Sequence, residues 1–363
     1  MSKAGPLGPR VRDTQGVRPA QTMAVALSTR HNALNFVRLV LAAAVIFGHS
    51  WSIGGFSQTA FSWLGEWAVS GFFAISGFLI AGSRMRLPFW TFTLHRSLRI
   101  YPAFWTCIVL VAFVAAPLST LISGERYELA SGLAYVWKNF TLWVFQYGID
   151  ATLTSVPFPG TWNAPLWTLK YEFAAYMIAA VLLTWTWIRR HAPVVVTSVY
   201  VFLAVVAGTV VALGISNDFA LNGTRLGSFF LAGMVIYFFS ERIQLKFSYF
   251  VVASLLFAGL SAFGLQGVAG HLAFAFMVLW LGARLPIRVG VKNDISYGVY
   301  IWAWPVQQYL ALLGTQWLGP WGSALAATLL TIPLAWASWK LVESPAMGLR
   351  RFFHRPSPPA ITP

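Results

Sequence analysis

Long apolar stretches, each about the length of a membrane-spanning helix, recur along almost the whole chain. Only 10% of the residues are charged and 58% are hydrophobic, whereas a soluble domain has about 25% charged residues. By the criterion of about twenty mainly apolar residues, about ten such stretches lie near 32–53, 66–82, 91–116, 164–188, 193–214, 226–239, 247–265, 268–284, 295–313 and 320–342. The sequence therefore predicts an all-α, polytopic integral membrane helical bundle of about ten transmembrane helices.

The loops between these stretches alternate between basic and weakly basic. The basic set comprises the N-terminal tail, Arg84, Arg86, Arg189, Arg190, Arg242, Lys246, Arg284, Arg288, Lys292, Arg350, Arg351 and Arg355, and the other set has Arg126, Lys138 and Arg225. The positive-inside rule assigns the basic set to the cytoplasm, which predicts that both termini are cytoplasmic. Because the net charge of +15 is spread over short loops, it does not indicate nucleic-acid binding.

Three regions follow from this distribution. Residues 1–31 are basic, contain several prolines and have little apolar periodicity, so they are predicted to form a disordered cytoplasmic tail. Residues 32–345 are predicted to form the transmembrane domain, and residues 346–363 a basic cytoplasmic tail. A cleaved signal peptide is not expected, because the first apolar stretch contains Arg38 and lacks a small-residue cleavage pattern.

The first apolar stretch contains two ionisable residues, Arg38 and His49. Ionisable groups inside a bilayer are costly and usually functional. Eleven helical steps of about 100° bring both side chains to one helix face, about 16 Å apart along the axis. In this topology Arg38 lies near the cytoplasmic surface and His49 in the outer half of the bilayer. His49 is predicted either to activate a hydroxyl group as a base or to make a hydrogen bond in helix packing.

Arg96 and Arg99 begin the third apolar stretch at the predicted cytoplasmic surface. Residues three apart are neighbours on a helix face, and two guanidinium groups can bind a phosphate or diphosphate bidentately. The alternative is that both side chains extend to lipid headgroups and only fix the topology. The chain shows no cysteine–histidine metal spacing, phosphate-binding glycine loop or nucleophilic-serine motif, so no metal is predicted.

Glu172 lies in the fourth stretch, about 12 Å from the predicted outer surface by helical rise. A carboxylate at that depth needs a partner, and Lys170, Arg225 and His49 are the candidates. Lys170 is the weakest of these, since residues two apart on a helix point to different faces. Arg225 is predicted to orient an anionic or sugar acceptor at the outer side, or to anchor its helix.

Together these segments resemble the membrane-bound acyltransferase type 3 family, whose members O-acylate surface carbohydrates. Arg38 and His49 match its arginine–ten residues–histidine pattern, and the paired arginines Arg96 and Arg99 match the motif that the family associates with acyl-CoA. The further similar segments are Val69–Ile80, Leu166–Glu172, Ser296–Trp302 and Val342–Pro345. These segments occur in the same order as in members of the family, and they extend over roughly residues 32–350.

The resemblance implies a membrane enzyme that moves an acyl group, with acetyl as the first expectation, from cytoplasmic acyl-CoA to a hydroxyl of a polysaccharide or lipid-linked oligosaccharide. It implies that Arg96 and Arg99, with Arg84 or Arg86, bind acyl-CoA. It also implies O-acetylation of exopolysaccharide or lipopolysaccharide at the bacterial inner membrane. It implies neither a metal cofactor nor a nucleic-acid partner.

Roles for the remaining candidate residues also follow from the resemblance. His49 would act as a general base or be acylated transiently, and Arg38 would bind the donor or line its access path. Glu172, Arg225 and Trp167 would position the acceptor or tune His49 from the outer side. Two other functions stay open: a transporter that exports a polar or lipid-linked metabolite, and an assembly subunit of a polysaccharide-export complex.

Overall fold

A computed structural model describes residues 21–29, 31–57, 61, 63–290 and 293–353. These residues form helices joined by loops, and the described part of the chain contains no β-strand beyond a single antiparallel bridge between Thr22 and Gln244. The predicted all-α class is therefore confirmed. Met23–Ser28 form a helix with Met23 fully buried, so the chain differs there from the disordered tail predicted over 1–31. Residues 1–20 and 30 of that tail, and residues 354–363 of the C-terminal tail, lie outside the described residues.

The helices follow the predicted apolar stretches closely. The first part of the chain forms α1 (Met23–Ser28), α2 (Leu34–Ile53), α3 (Leu64–Arg86), α4 (Phe89–Leu110), α5 (Ala116–Ser123) and α6 (Leu129–Lys138). The central part forms α7 (Trp167–Leu182), α8 (Thr186–Arg190), α9 (Ala192–Ala212), α10 (Asp218–Phe239) and α11 (Phe247–Ala262). The last part forms α12 (Gln266–Ala269), α13 (His271–Arg284), α14 (Ser296–Leu312), α15 (Gly319–Ser338) and α16 (Ser344–Gly348).

Among the described residues, 6 helical segments are long and apolar enough to cross a membrane. They are Leu34–Ile53, Leu64–Arg86, Phe89–Ser123, Ala192–Ala212, Asp218–Phe239 and Thr315–Phe353. The apolar helices α11 and α13 are shorter, and so are α7 and α14, with 16 and 17 residues. Each of the ten predicted stretches thus coincides with a helix, while ten crossings and cytoplasmic termini stay predictions.

Two glycines allow α3 and α10 to pack backbone against backbone at the centre of the bundle. A Cβ atom on Gly77 would lie 1.9 Å from the carbonyl oxygen of Phe230, and one on Gly233 would lie 2.0 Å from that of Ala74. Small residues at such a crossing bring membrane helices close enough for extensive van der Waals contact. Ser76, next to Gly77, lies on the side of α3 that faces the cavity described below.

Replacing Gly77 by alanine should destabilise the bundle, because the added methyl group has no space beside the Phe230 carbonyl. Overpacking of this kind costs about 2 kcal/mol or more of the free energy of unfolding. The matched control is Gly259→Ala on α11, where nothing lies within 4 Å of the added atom, and its stability should be unchanged or slightly higher. Thermal unfolding of the detergent-solubilised proteins measures both, and equal midpoints would contradict the packing argument.

Candidate active site

A cavity of about 80 Å³ lies between α2, α3, α4, α7 and α14. It brings together four charged residues that the sequence analysis identified separately: Arg38 from α2, Arg96 and Arg99 from α4, and Glu172 from α7. The other polar residues that line it are Ser76, Thr168, Tyr176, Ser296, Tyr297 and Tyr300. The cavity therefore has a basic interior within a bundle of apolar helices.

Two carboxylates neutralise two of the three arginines. Asp294 accepts a hydrogen bond at Oδ2 from Arg38 at 2.6 Å and from Arg99 at 2.7 Å. Glu343 accepts a hydrogen bond from Arg99 at 3.1 Å. The other oxygen of Asp294 accepts a hydrogen bond from the Ser296 hydroxyl at 2.6 Å, which fixes the orientation of the carboxylate. Arg38 and Arg99 are therefore held side by side by one carboxylate.

Asp294 lies in the loop before α14, outside the membrane-spanning segments, and it stays ionised. Burial alone would raise the pKa of its carboxyl group, but Arg38, Arg99 and the hydrogen bonds from Ser296 lower the pKa well below its usual range. Asp294 is not among the residues that the sequence predicts for the site. One signal in the sequence could have indicated it. Asp294 lies two residues before the Ser296–Trp302 motif, so the chain places its carboxylate close to the residues of that motif that line the cavity.

Arg96 differs from its neighbour in having no carboxylate partner among the described residues. It donates one hydrogen bond, to the Ser83 hydroxyl at 3.0 Å, and its Nε atom is buried without a hydrogen-bond partner. Its guanidinium carbon lies 5.5 Å from the Phe92 ring and 5.9 Å from the Tyr176 ring. A buried cation with an unused donor, next to a cavity, is suited to bind an anion.

Glu172 faces the same cavity, but its partners are not the ones predicted. Its Oε1 atom accepts hydrogen bonds from the Ser76 hydroxyl at 3.0 Å and from the Tyr176 hydroxyl. In the described part of the chain it forms no ion pair with Lys170, Arg225 or His49. The reason is geometric, since α7 turns Glu172 towards α3 and α4 and leaves Lys170 on its opposite side.

His49 lies beyond the cavity rather than in its lining. Its ring packs edge-on against Trp304, with ring centroids 4.9 Å apart. Tyr300, which lines the cavity, is one helical turn before Trp304, so His49 lies about one turn past the cavity. Within the described residues, neither ring nitrogen of His49 makes a hydrogen bond, so the predicted packing hydrogen bond is absent there.

Polar and aromatic contacts close the cavity on the side of His49. The hydroxyl groups of Thr168 and Tyr300 lie 2.6 Å apart, and Tyr300 also donates to the Pro165 carbonyl at 2.8 Å. The ring of Phe72 lies 6.0 Å from that of Tyr300. Arg38 and His49 thus share a helix, but these side chains separate the cavity that contains Arg38 from His49.

The two other predicted donor-binding arginines do not line this cavity. Arg84 is buried and donates to the Ala180 carbonyl at 3.0 Å, to the Leu87 carbonyl at 2.8 Å and to the Thr184 hydroxyl at 2.8 Å. These bonds join the ends of α3 and α7, so its role here is structural. Arg86 is exposed and lines a second hollow, of about 430 Å³, which shares Leu79 with the cavity.

The predicted acceptor residues, Arg225 and Trp167, lie near the start of α3 and at the start of α7, away from Arg84 at the other ends of these helices. Arg225 is partly buried, and its guanidinium group is 3.7 Å from the Glu66 carboxylate and 3.5 Å from the Ser70 hydroxyl. Trp167 begins α7 and packs edge-on against Tyr171 at 5.6 Å. Neither residue makes a hydrogen bond or ion pair with Glu172 among the described residues, so these bonds do not join the predicted acceptor group.

Apolar helices around a buried basic cavity define an integral membrane protein. The chain belongs to the acyltransferase type 3 family, because the family's sequence model, described as an acyltransferase domain, matches residues 31–340. It is similar to the O-acetyl transferase of Shigella phage Sf6, with 29% identity over 343 residues that cover 91% of this chain and 98% of that protein. It is also similar to nodulation protein 10 of Rhizobium leguminosarum bv. viciae, with 27% identity over 378 residues that cover 89% and 95% of the two chains. No solved structure matches the chain.

Replacing Asp294 by asparagine should lower the free energy of unfolding by about 3 kcal/mol near neutral pH, because two arginines lose a shared buried partner. Since the pKa of Asp294 is lowered in the folded protein, this stabilisation is present above the unfolded pKa of about 3.9 and is lost as the pH falls below it. The gap in melting temperature between wild type and variant should be constant from about pH 8 to pH 5 and narrow below about pH 4.

The control for this measurement is Asp150→Asn in an exposed loop, which should change the stability by less than about 0.5 kcal/mol. If the difference in melting temperature between wild type and Asp294→Asn already disappeared between about pH 7 and pH 5, this result would contradict a strongly lowered pKa of Asp294.

Proposed function

We propose that this acyltransferase moves an acetyl group from cytoplasmic acyl-CoA to a hydroxyl group of a polysaccharide or lipid-linked oligosaccharide at the bacterial inner membrane. The observation that carries the proposal is the guanidinium group of Arg96, which has no carboxylate partner among the described residues and lies at a cavity. The family membership supplies the reaction class. The name of the phage relative supports acetyl as the group transferred.

The donor binds through its phosphate groups. Acyl-CoA is polyanionic, and a phosphate at Arg96 would complete the hydrogen bonding of the buried Nε atom. Arg38 and Arg99 already share Asp294, so they add positive potential without offering a free charge. Arg86, on the hollow that shares Leu79 with the cavity, is placed to contact the part of the donor that stays near the cytoplasm.

The thioester has to reach His49 through the closed end of the cavity. Arg38 and His49 are about 16 Å apart along α2, a distance that the extended pantetheine arm of the donor spans. The arm passes between Phe72 and Tyr300, so these side chains must rotate when the donor binds. Removal of water along this path would strengthen the polar contacts around the thioester.

The transfer itself has two possible routes at His49. In the first, the imidazole takes the proton of the acceptor hydroxyl while the hydroxyl oxygen attacks the thioester carbonyl; the carbon–sulfur bond breaks, and the CoA thiolate leaves and takes the proton from His49. In the second, a nitrogen of His49 attacks the thioester and becomes acylated, and CoA leaves with the imidazole proton; the acceptor oxygen then takes the acyl group and returns a proton to the ring.

Glu172, Trp167 and Arg225 have supporting roles in this scheme. Glu172 shares the cavity with Arg96, so it acts on the donor side rather than on the acceptor, by limiting the positive charge around the phosphates. Trp167 and Arg225 lie towards the outer ends of their helices in the predicted topology and guide the acceptor.

A transporter is the alternative function, and it requires export of a solute without any chemical change in acyl-CoA.

Arg96→Ala should raise the dissociation constant for CoA at least about tenfold, because one charge-assisted contact with phosphate is worth about 1.5 kcal/mol or more. The measurement is isothermal titration of the protein in nanodiscs with acetyl-CoA. The control is Arg242→Ala, an exposed residue of a basic loop, which should bind CoA like the wild type. Equal binding by wild type and Arg96→Ala would remove Arg96 from the donor site.

His49→Ala should lower acetyl transfer by about a hundredfold or more while CoA binding is retained, because His49 does not line the cavity. Transfer of radiolabelled acetyl from acetyl-CoA to a glycan acceptor measures the rate. Label that remains on wild-type protein after acid quenching, and is absent from the variant, selects the acyl-histidine route.

Two outcomes would contradict this proposal at different levels. Full transfer by His49→Ala would exclude His49 from the chemistry and leave the reaction class unchanged. A wild-type protein that neither binds acetyl-CoA nor acetylates any glycan, but moves a solute across the vesicle membrane, would favour the transporter.

A further inference from the structure

An apolar groove of about 330 Å³ lies between α7, α9 and α10. Small residues line this space, namely Ala174 and Ala175 on α7 and Gly223 and Gly227 on α10. On α10 the groove extends from Phe219 to Met234, about 22 Å by helical rise, which is most of the thickness of a bilayer core. Its polar content is small, so its occupant within a membrane is a hydrocarbon chain.

The groove and the candidate active site lie on opposite sides of α7. Thr168, Glu172 and Tyr176 face the polar cavity, whereas Tyr171, Ala175 and Ile178 face the groove. Phe73 on α3 lines both spaces. A molecule in the groove therefore lies directly beside the site, separated from it by one helix.

A cation lies at the outer end of the groove. The ammonium group of Lys170 is 4.5 Å from the centre of the Trp143 ring and 5.0 Å from that of Tyr171. Both rings pack against Phe219, at 6.2 Å and 5.6 Å, and Tyr171 and Phe219 line the groove. Among the described residues Lys170 has no carboxylate partner within salt-bridge distance, although Asp218 begins α10 nearby.

An apolar channel with a cation at its outer end matches a lipid that has a hydrocarbon chain and a phosphate group. We propose that the groove holds the chain of a lipid-linked carbohydrate acceptor and that Lys170 binds the phosphate joining the chain to the sugar. The sugar would then lie beside Trp167 at the outer end of α7. Thr168 of the same turn contacts Tyr300, one helical turn from Trp304 and His49.

This inference rests on the proposed function for the identity of the sugar carrier, but binding can be tested without acyl transfer. The probe is a polyprenyl phosphate with a photoreactive diazirine on its chain, added to the protein in phosphatidylcholine nanodiscs. Labelled peptides should come from α7, α9 and α10, and unlabelled polyprenyl phosphate should compete.

Two valines of α9 provide a matched pair of variants. Val199 lines the groove, and Val205 is exposed on the same helix outside the groove lining. Val199→Trp should fill the groove and lower labelling at least fivefold, whereas Val205→Trp should label like the wild type. Both variants should bind acetyl-CoA normally, which shows that they are folded. Equal labelling of the two variants would overturn the proposed site.

Lys170 tests the phosphate contact. Lys170→Gln should weaken binding of the polyprenyl phosphate about tenfold, while Lys170→Arg should retain it because the charge is kept. A diazirine phosphatidylcholine that labels the groove and is not displaced by polyprenyl phosphate would mean that the groove holds bulk lipid, and it would overturn the proposal.

The enzymatic measurement separates this inference from the proposed function. Val199→Trp should raise the KM for a lipid-linked acceptor several-fold and leave the KM for a water-soluble glycan unchanged. If both acceptors were affected equally, the groove would have no role in acceptor binding. If wild type transferred no acetyl group to either acceptor while the photoreactive lipid still labelled the groove, the proposed function would fail and the lipid site would stand.

Discussion

The shared carboxylate of Asp294 determines the geometry of the polar cavity. It joins Arg38 on α2 to Arg99 on α4, and it is itself held by Ser296 at the start of α14. Three helices that are distant in the sequence therefore meet at one carboxylate. Because ionic groups in an apolar bundle are costly unless they are paired and hydrogen-bonded, any relative movement of these helices would carry a large penalty. The cavity is therefore preorganised before any ligand binds.

This pairing also distributes the positive charge unequally. Arg99 contacts two carboxylates and Arg38 one, whereas Arg96 has none among the described residues. Glu172 lines the same cavity as Arg96, but its carboxylate accepts hydrogen bonds from the hydroxyl groups of Ser76 and Tyr176 instead. Paired motif arginines can thus have different functions: one holds the helices together, and the other remains available to an anion.

The sequence predicted the helices well, because apolar length and helical spacing are local properties. It did not predict which charges meet. Arg84 and Arg96 are both arginines near the predicted cytoplasmic surface, yet Arg84 donates to carbonyl and hydroxyl groups at the end of α7, and only Arg96 reaches the cavity. Asp294 lies in a short polar loop, where a carboxylate normally faces solvent, so the sequence does not mark it as a site residue. Which charged residues pair with each other depends on tertiary packing, and the spacing of residues in the sequence gives no information about it.

The short helix α7 has two chemically different sides within a membrane bundle. Positions four apart, such as Thr168, Glu172 and Tyr176, carry hydroxyl and carboxyl groups towards the cavity, whereas Tyr171 and Ala175 between them face the apolar groove. A transmembrane helix that only crosses the bilayer needs no such polar face. The proposed function requires one, because it joins a polyanionic donor, which needs polar contacts, to an acceptor carried by a lipid, which needs an apolar surface. The arrangement of α7 satisfies both requirements with a single helix.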